Sequence, residues 1–283
     1  MTPTISGTTG VIAHIGVPTT NFRAPLIYNP YFAATGTDVV VVPMGCEAED
    51  LPHLLPPLLR LRNIVGALIT MPHKVSVVPL LQETSRTVDI CGACNAVKRG
   101  ADGQLVGDMF DGEGFVRSAR RKGQRLAGAS ALIVGAGGVG SAIAAALAHA
   151  GVASLTLFDQ NAAAADRLAQ RLRAAFPALA IETGRRESAA LDIAVNATPL
   201  GMTPGDPFPF EIAQLSPATF VGDVVMTAQE TPLLAAARAH GCATQNGTDM
   251  LFEMIPAYLE FFGLPTTTPD VLRRHALSPS PRP

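Results

Sequence analysis

The segment Gly66–Lys74 places a hydroxyl group and an amine close together at the end of an apolar run. Residues 66–69 have the pattern of a strand, and Thr70 and Lys74 follow on either side of Pro72. Because Pro72 lacks a backbone donor and fixes its own φ, the chain leaves the sheet there. A lysine held at such a strand end is partly desolvated, which tunes its pKa toward proton transfer. The alternative is a solvated loop lysine.

A glycine-rich turn supplies the second chemical pattern. It follows the strand-like run Ala131–Val134 and opens the alanine-rich helix Ser141–Ala150. Gly135 permits the tight turn, Gly137 lets the backbone approach a pyrophosphate, and Gly140 allows close packing of the helix. The positive end of the helix favours the phosphates. We therefore predict a dinucleotide site that includes Gly135, Ala136, Gly137, Gly138 and Val139.

Asp159 ends the next strand, Leu155–Phe158, and distinguishes between two cofactors. A carboxylate at this position accepts hydrogen bonds from the adenosine ribose hydroxyls but repels a 2′-phosphate. No arginine follows directly, since residues 160 and 161 are glutamine and asparagine. The sequence therefore predicts NAD rather than NADP. The basic residues that would reverse this preference are Arg167, Arg185 and Arg186.

Residues 129–158 carry no formally charged side chain, and the stretch is long enough to span a membrane. Its internal pattern is strand, glycine turn, helix and strand, which is a β–α–β unit rather than one continuous helix. We therefore predict no membrane span.

Composition excludes several other classes. The chain has 283 residues, of which 48% are hydrophobic and 16% charged, with a net charge of −2. A nucleic-acid partner requires a concentrated basic face, and only the short cluster Arg117–Arg125 is basic. Four scattered cysteines do not make a disulfide framework, and the pair Cys91 and Cys94 has no second pair to complete a zinc site. We expect no metal, no nucleic acid and, since no signal peptide is apparent, a cytoplasmic location.

The remaining pattern predicts an α/β protein with an N-terminal substrate lobe and a Rossmann-type, doubly wound nucleotide-binding domain. The predicted first lobe comprises residues 1–108, completed by a C-terminal helix at 248–270, and the second comprises 109–247. Residues 271–283 are proline-rich and polar, which predicts a flexible tail. The expected elements outside the β–α–β unit are strands Val11–Gly16, Asp38–Pro43, Ala67–Thr70, Ile193–Asn196 and Phe220–Asp223 and helices Pro25–Thr35, Ala48–Leu61, Thr231–His240 and Asp249–Phe262.

These patterns together resemble the shikimate/quinate dehydrogenase family along nearly the whole chain. Residues 66–74 resemble that family's Asn-Val-Thr-x-Pro-x-Lys segment, and residues 107–114 resemble its Gly-x-Asn-Thr-Asp-Gly-x-Gly stretch. The other segments that are similar to family motifs, in the same order, are 15–18, 25–29, 92–95, 196–202, 231–234 and 247–251. Gly-Ala-x-Asn at 92–95 also gives Cys91 and Cys94 a plain structural interpretation.

The resemblance implies roles for individual residues. Lys74 and Asp111 correspond to the family's proton-transfer pair, although Asp-Gly is also a common turn. Thr70 and Asn95 correspond to contacts with substrate hydroxyls. The nicotinamide end of the cofactor would be lined by Asn196, Thr198, Val224 and Gly247.

Five positions depart from the family pattern, and all five exchange a polar side chain for an apolar one. The family's two carboxylate-binding serines are Phe22 and Ala24, its asparagine is Leu68, its tyrosine is Met226 and its glutamine is Met254. Burying a carboxylate against such a surface without a partner costs several kcal/mol. Arg23 is either a replacement partner for the charge or a solvated loop residue.

We therefore expect an NAD-dependent dehydrogenase that interconverts a secondary alcohol and a ketone on a cyclic substrate. Shikimate, quinate and a less polar analogue are all compatible with the residues. The alternative is a catalytically silent NAD-binding sensor on the same scaffold, which would relax the constraint on Lys74 and Asp111. The sequence is compatible with a homodimer.

Overall fold

The structure is a computed structural model that describes residues 4–186, 191–226 and 230–277. The chain divides into two compact units. The first lobe contains the residues up to Val88, then Ala93–Phe110, and the residues from Ile255 onward. The second lobe contains Asp89–Gly92 and Asp111–Met254.

The first lobe is built on a mixed sheet of six strands among the described residues, in the order β2-β1-β3-β5-β6-β4. Strand β1 is parallel to both of its neighbours, whereas β5 is antiparallel to β3 and to β6. Up to residue 108, the elements are β1 Gly10–Gly16, α1 Ala24–Thr35, β2 Val39–Gly45, α2 Leu51–Leu58, β3 Ile64–Ile69, β4 Glu83–Thr84, α3 Arg86–Cys91, β5 Ala96–Arg99 and β6 Leu105–Asp108.

Strands β1, β2 and β3 are nearly continuous apolar runs, which is typical of strands covered on both faces. Ile12 and Ile15 of β1 are fully buried although they point to opposite faces of the sheet. The carboxyl ends of these three parallel strands lie at one edge, so the segments that follow them share that edge.

The second lobe contains an all-parallel sheet of six strands among the described residues, in the order β12-β11-β10-β7-β8-β9. This is the doubly wound order of a Rossmann fold, and it confirms the predicted fold class. Its elements are α4 Asp111–Arg121, β7 Ser130–Val134, α5 Gly138–His149, β8 Ser154–Phe158, α6 Ala162–Ala175, β9 Ala180–Thr183, β10 Ile193–Asn196, β11 Phe220–Asp223, α7 Pro232–Ala239, β12 Ala243–Gln245 and α8 Gly247–Phe261.

The uncharged stretch 129–158 forms β7, α5 and β8, as predicted. Both strands and most of the helix are buried within the second lobe. Within the described parts of the chain, none of the helices combines the length and the apolar character needed to cross a membrane.

The prediction of a flexible tail from residue 271 is wrong for residues 271–277. Residues Pro269–His275 form helix α9, in which Leu272 is fully buried. The Thr268 side chain caps this helix by accepting from the backbone N–H of Val271, and Pro269 takes the first helical position, where its missing donor is not needed. The rest of the predicted tail, residues 278–283, lies outside the described residues.

Candidate active site

The turn that carries Lys74 is fixed to the ends of β1 and β3. The backbone N–H of Thr70, directly after β3, donates to the Ile15 carbonyl at 2.9 Å. The backbone N–H of His73 then donates to the Thr70 carbonyl at 2.8 Å and closes the turn. Thr70 therefore lies at the carboxyl edge of the parallel strands, where ligands bind in open α/β sheets.

Lys74 itself is held from both sides through the backbone. The side chain of His73 is fully buried, and its Nε2 lies 2.8 Å from the Cys46 carbonyl after β2. The Lys74 carbonyl accepts from the backbone N–H of Cys94 at 2.7 Å. Lys74 itself is half-buried, and its role in proton transfer stays a prediction.

Asn95, the other predicted hydroxyl contact of this lobe, is fully buried. Its side-chain Oδ1 accepts from the backbone N–H of Phe110 at 3.0 Å, and its backbone N–H donates to the Asp108 carbonyl. Asn95 thus holds the segment that leads into Asp111. In the second lobe, Asp111 is buried at the first turn of α4.

Of the three apolar departures in the first lobe, two are buried and Phe22 is half-buried. Phe22 stacks on His14 with ring centroids 4.0 Å apart, and Leu68 and Ala24 are almost fully enclosed. Arg23, between the two substituted serine positions, is half-buried and forms no salt bridge within the described residues. Arg23 therefore remains either a replacement partner for a substrate charge or a solvated loop residue.

Two further departures from the family pattern and one histidine are not predicted from the sequence. Met109 and Phe110 occupy the Asn-Thr places of the Gly-x-Asn-Thr-Asp-Gly-x-Gly motif, and both are buried. The Phe110 ring packs edge-on against Tyr258, with centroids 4.9 Å apart. Met109 and Phe110 can be recognised from the sequence by comparing residues 107–114 with the family motif. The histidine, His14, can be recognised as a single polar residue within an apolar strand.

The glycine turn of the second lobe has the shape that a dinucleotide requires. Gly135 adopts φ +107°, and a Cβ at this position would lie 2.6 Å from the Ala197 carbonyl oxygen. A Cβ on Gly140 would lie 1.9 Å from the Gly135 carbonyl oxygen, so the start of α5 packs directly on the turn. Around the Cβ position of Gly137, by contrast, no described atom lies within 4 Å. This open space at the start of α5 fits a pyrophosphate group.

Asp159 is tied to the same turn. Its Oδ2 accepts from the backbone N–H of Ala136 at 2.6 Å, and its Oδ1 accepts from that of Asn161 at 2.8 Å. A carboxylate has about four acceptor positions, so both oxygens keep capacity for ribose hydroxyls. Of the three arginines that would favour NADP, all exposed, Arg186 lies over the Phe158 ring at 4.9 Å.

A buried polar network shapes the loops after β10 and β11. The Asn196 amide nitrogen donates to the Leu200 carbonyl and to Asp223 Oδ1, and Asn196 Oδ1 accepts from the Thr198 hydroxyl at 2.7 Å. The Thr231 hydroxyl donates to Asp223 Oδ2 at 2.6 Å. Burial raises the pKa of the Asp223 carboxyl, and the bonds from Thr231, Val225 and Asn196 oppose that rise.

The predicted contacts at the nicotinamide end follow these two strands. The side chains of Asn196 and Thr198 bond within their own loop, and their contact with the cofactor stays a prediction. Val224 and Gly247 lie together, because a Cβ on Gly247 would be 2.3 Å from the Val224 carbonyl oxygen. Met226 borders the same glycine, and Met254 is buried further along α8.

The four cysteines belong to the hydrophobic cores. All four are buried, and the Cys94 thiol donates to the Ala96 carbonyl at 3.2 Å. In the residues that the structure describes, no group of three or more His, Cys, Asp or Glu side chains is arranged to hold a metal ion.

Comparison with known proteins gives matches in both lobes. The profile described as the shikimate dehydrogenase substrate binding domain matches residues 15–97, and the ThiF family profile matches residues 115–167. Shikimate dehydrogenase (NADP(+)) of Geobacter metallireducens is 34% identical to this chain over 282 residues, covering 97% of this chain and 98% of its own length.

Two solved structures show the range of proteins that share this fold. Quinate dehydrogenase from Corynebacterium glutamicum, in complex with NAD, is 34% identical, with a TM-score of 0.81 over 94% of this chain and 98% of its own. The 5-ketofructose reductase of Gluconobacter sp. strain CHM43 is 26% identical, with a TM-score of 0.83 over 95% of this chain and 98% of its own.

The similarity to shikimate dehydrogenases extends over nearly the full length, and the substrate-domain match includes the turn that bears Thr70 and Lys74. The resemblance predicted from the motifs is thereby confirmed. This chain belongs to the shikimate/quinate dehydrogenase family.

Proposed function

We propose that this chain is an NAD-dependent dehydrogenase that interconverts a secondary alcohol and a ketone on a cyclic substrate. As a shikimate dehydrogenase-like oxidoreductase, it acts on a CH–OH group with NAD(P). One observation supports this finer proposal above all. The turn from Thr70 to Lys74 is held on both sides by backbone hydrogen bonds, and Lys74 is half-buried.

Lys74 and Asp111 supply the proton chemistry in this proposal. The glycine turn of the second lobe would hold the dinucleotide, which would supply the hydride acceptor for oxidation of the alcohol. Lys74 takes the hydroxyl proton in that direction and returns it in the other. Asp111 orients Lys74 for this transfer. Thr70 and Asn95 hold substrate hydroxyls, so the reacting carbon is presented in one orientation.

NAD is the proposed cofactor because Asp159 is fixed at the edge of the glycine turn. A 2′-phosphate would meet a carboxylate that the Ala136 N–H already holds in place. The quinate dehydrogenase of similar sequence was solved with NAD, whereas the Geobacter relative is named for NADP(+). Initial rates with each cofactor test this point.

The proposed substrate is less polar than shikimate where the family binds a carboxylate. Phe22, Ala24 and Leu68 enclose that part of the first lobe with apolar atoms, and a carboxylate buried there without a partner would cost several kcal/mol. Related folds act on different compounds, as the names quinate dehydrogenase and 5-ketofructose reductase show. The experiment is a turnover panel of shikimate, quinate and uncharged ring alcohols with both cofactors.

The same apolar replacements favour one alternative, a silent NAD-binding sensor. A sensor would bind NAD tightly and turn over none of the alcohols or ketones in the panel. The half-buried Lys74 and the buried Asp111 argue for the enzyme, because a scaffold that only binds NAD needs neither.

A further inference from the structure

His14 lies in the first lobe among the residues that depart from the family pattern. It is on β1, where the register places it opposite Leu68 of β3. Side chains at register partners of neighbouring strands stand on the same face. Gly16, two residues further along that face, has room for no side chain, because its Cβ would lie 2.5 Å from the Thr70 methyl group and 3.1 Å from the Phe22 ring. His14, Leu68, Phe22 and Thr70 therefore form one cluster.

The imidazole of His14 is unmatched within this cluster. The residue is only 8% exposed, and its Nδ1 is enclosed without a hydrogen-bond partner among the described residues. Its ring contact is the stacked face of Phe22, which cannot bond in the ring plane. A leucine at this position would leave no polar group unsatisfied. The imidazole therefore destabilises the lobe unless a bound ligand forms a hydrogen bond with it.

The charge state of His14 limits what that partner can be. Burial, and then the positive charge of Lys74, lower the pKa of His14 to about 3. The ring is therefore neutral under ordinary conditions and offers one donor and one acceptor. A neutral imidazole pairs well with a hydroxyl or a carbonyl, but it gives a carboxylate no counter-charge.

We infer that His14 is a specificity residue that hydrogen-bonds an uncharged hydroxyl or carbonyl of the substrate, at the place where Leu68, Phe22 and Ala24 offer no polar group. The substrate class is then an uncharged ring polyol or hydroxyketone whose apolar part rests on Phe22. This inference rests on the proposed dehydrogenase function and deepens it.

Shikimate and its methyl ester are the probes, because they share the ring and its hydroxyls and differ in charge. We expect the wild type to prefer the ester, and His14→Leu to lower kcat/KM for the ester by about 10- to 100-fold, as for loss of a hydrogen bond to a buried group. His14→Leu should not lower the unfolding midpoint, whereas a structural role for the ring would. His53→Leu, at an exposed position of the same lobe, is the matched control and should keep both values.

A second readout does not depend on turnover. In protein labelled with ¹⁵N-histidine, the ring nitrogens of His14 should shift when the ester is added with NADH, a pair that cannot react. Equal ester turnover by the wild type and His14→Leu, a preference for shikimate over the ester, or the absence of a shift would each overturn the inference and leave the dehydrogenase proposal standing. If the wild type turns over none of the panel alcohols, the dehydrogenase proposal fails, and the ring shift alone decides whether His14 binds the ester.

Discussion

Asp159 Oδ2 accepts a hydrogen bond from the backbone N–H of Ala136 across 2.6 Å, so the carboxylate predicted to bind ribose also fixes the glycine turn. We expect Asp159→Asn to raise KM for NAD by about 10- to 100-fold and to raise the relative rate with NADP, because the repulsion of a 2′-phosphate is removed. Initial rates with both cofactors measure the change. Asp166→Asn, at an exposed carboxylate of the same lobe, is the control and should behave as the wild type. A wild-type preference for NADP would contradict the proposed role.

The two glycines of the turn should separate binding from folding. Gly137→Ala places a methyl group in open space, so the free energy of unfolding should change by less than about 1 kcal/mol while the affinity for NAD falls by about 10-fold or more. Gly140→Ala places the methyl group on the Gly135 carbonyl and should destabilise the fold by about 1–3 kcal/mol. Urea unfolding and NAD titration of both variants check this. If both variants lowered the free energy of unfolding equally, the open space at Gly137 would be required for folding rather than for binding NAD.

Local sequence patterns predict some elements of this fold correctly and miss others. Ile193–Asn196 and Phe220–Asp223 are predicted with the ends that the structure has, because short apolar runs between polar loops are typical of buried parallel strands. Helix α5 begins three residues earlier than predicted, at Gly138, since the last glycines of the turn are already helical. Helix α9 is not predicted, because the proline-rich and polar composition of this segment favours a flexible tail, whereas Thr268 and Pro269 begin a helix.

The same limit applies to the candidate site. The sequence alone places Thr70, Lys74 and Asp159 at the ends of strands, because each lies within a few residues of its strand in the chain. His14 is different, since its importance depends on Phe22 and Leu68, which come from other elements. Packing between elements distant in sequence leaves no periodic signal, and one polar residue in a strand does not reveal whether it has a partner.

Stability should depend on pH through His14. Its pKa in the folded protein, about 3, lies below the ordinary value of 6.5, so below pH 6.5 the unfolded chain binds a proton that the folded ring does not. Stability is therefore lost as the pH falls from 6.5 toward 3. Between pH 7 and pH 5, the wild type should lose about 2 kcal/mol more than His14→Leu. Urea unfolding at the two pH values measures this difference, and parallel losses would show that His14 does not titrate as described.

Restoring the family's polar groups should restore a carboxylated substrate. We expect Phe22→Ser combined with Ala24→Ser to raise kcat/KM for shikimate by about 10-fold or more, because hydroxyl donors replace apolar atoms against the charge. Ala34→Ser, at an exposed position of α1, controls for an added hydroxyl in the same region. Unchanged shikimate turnover would mean that another group, with Arg23 as the first candidate, already holds the carboxylate.

The most direct test of the proposed function compares Lys74→Met with the wild type by two measurements, turnover of the best alcohol in the panel and binding of NAD. The proposal predicts that turnover falls by at least about 100-fold, as for loss of a general acid–base group, while the affinity for NAD is unchanged. Lys122→Met, which removes a surface salt bridge to Asp249, is the matched control and should keep both values. Turnover by Lys74→Met within a few-fold of the wild type would contradict the assignment of proton transfer to Lys74.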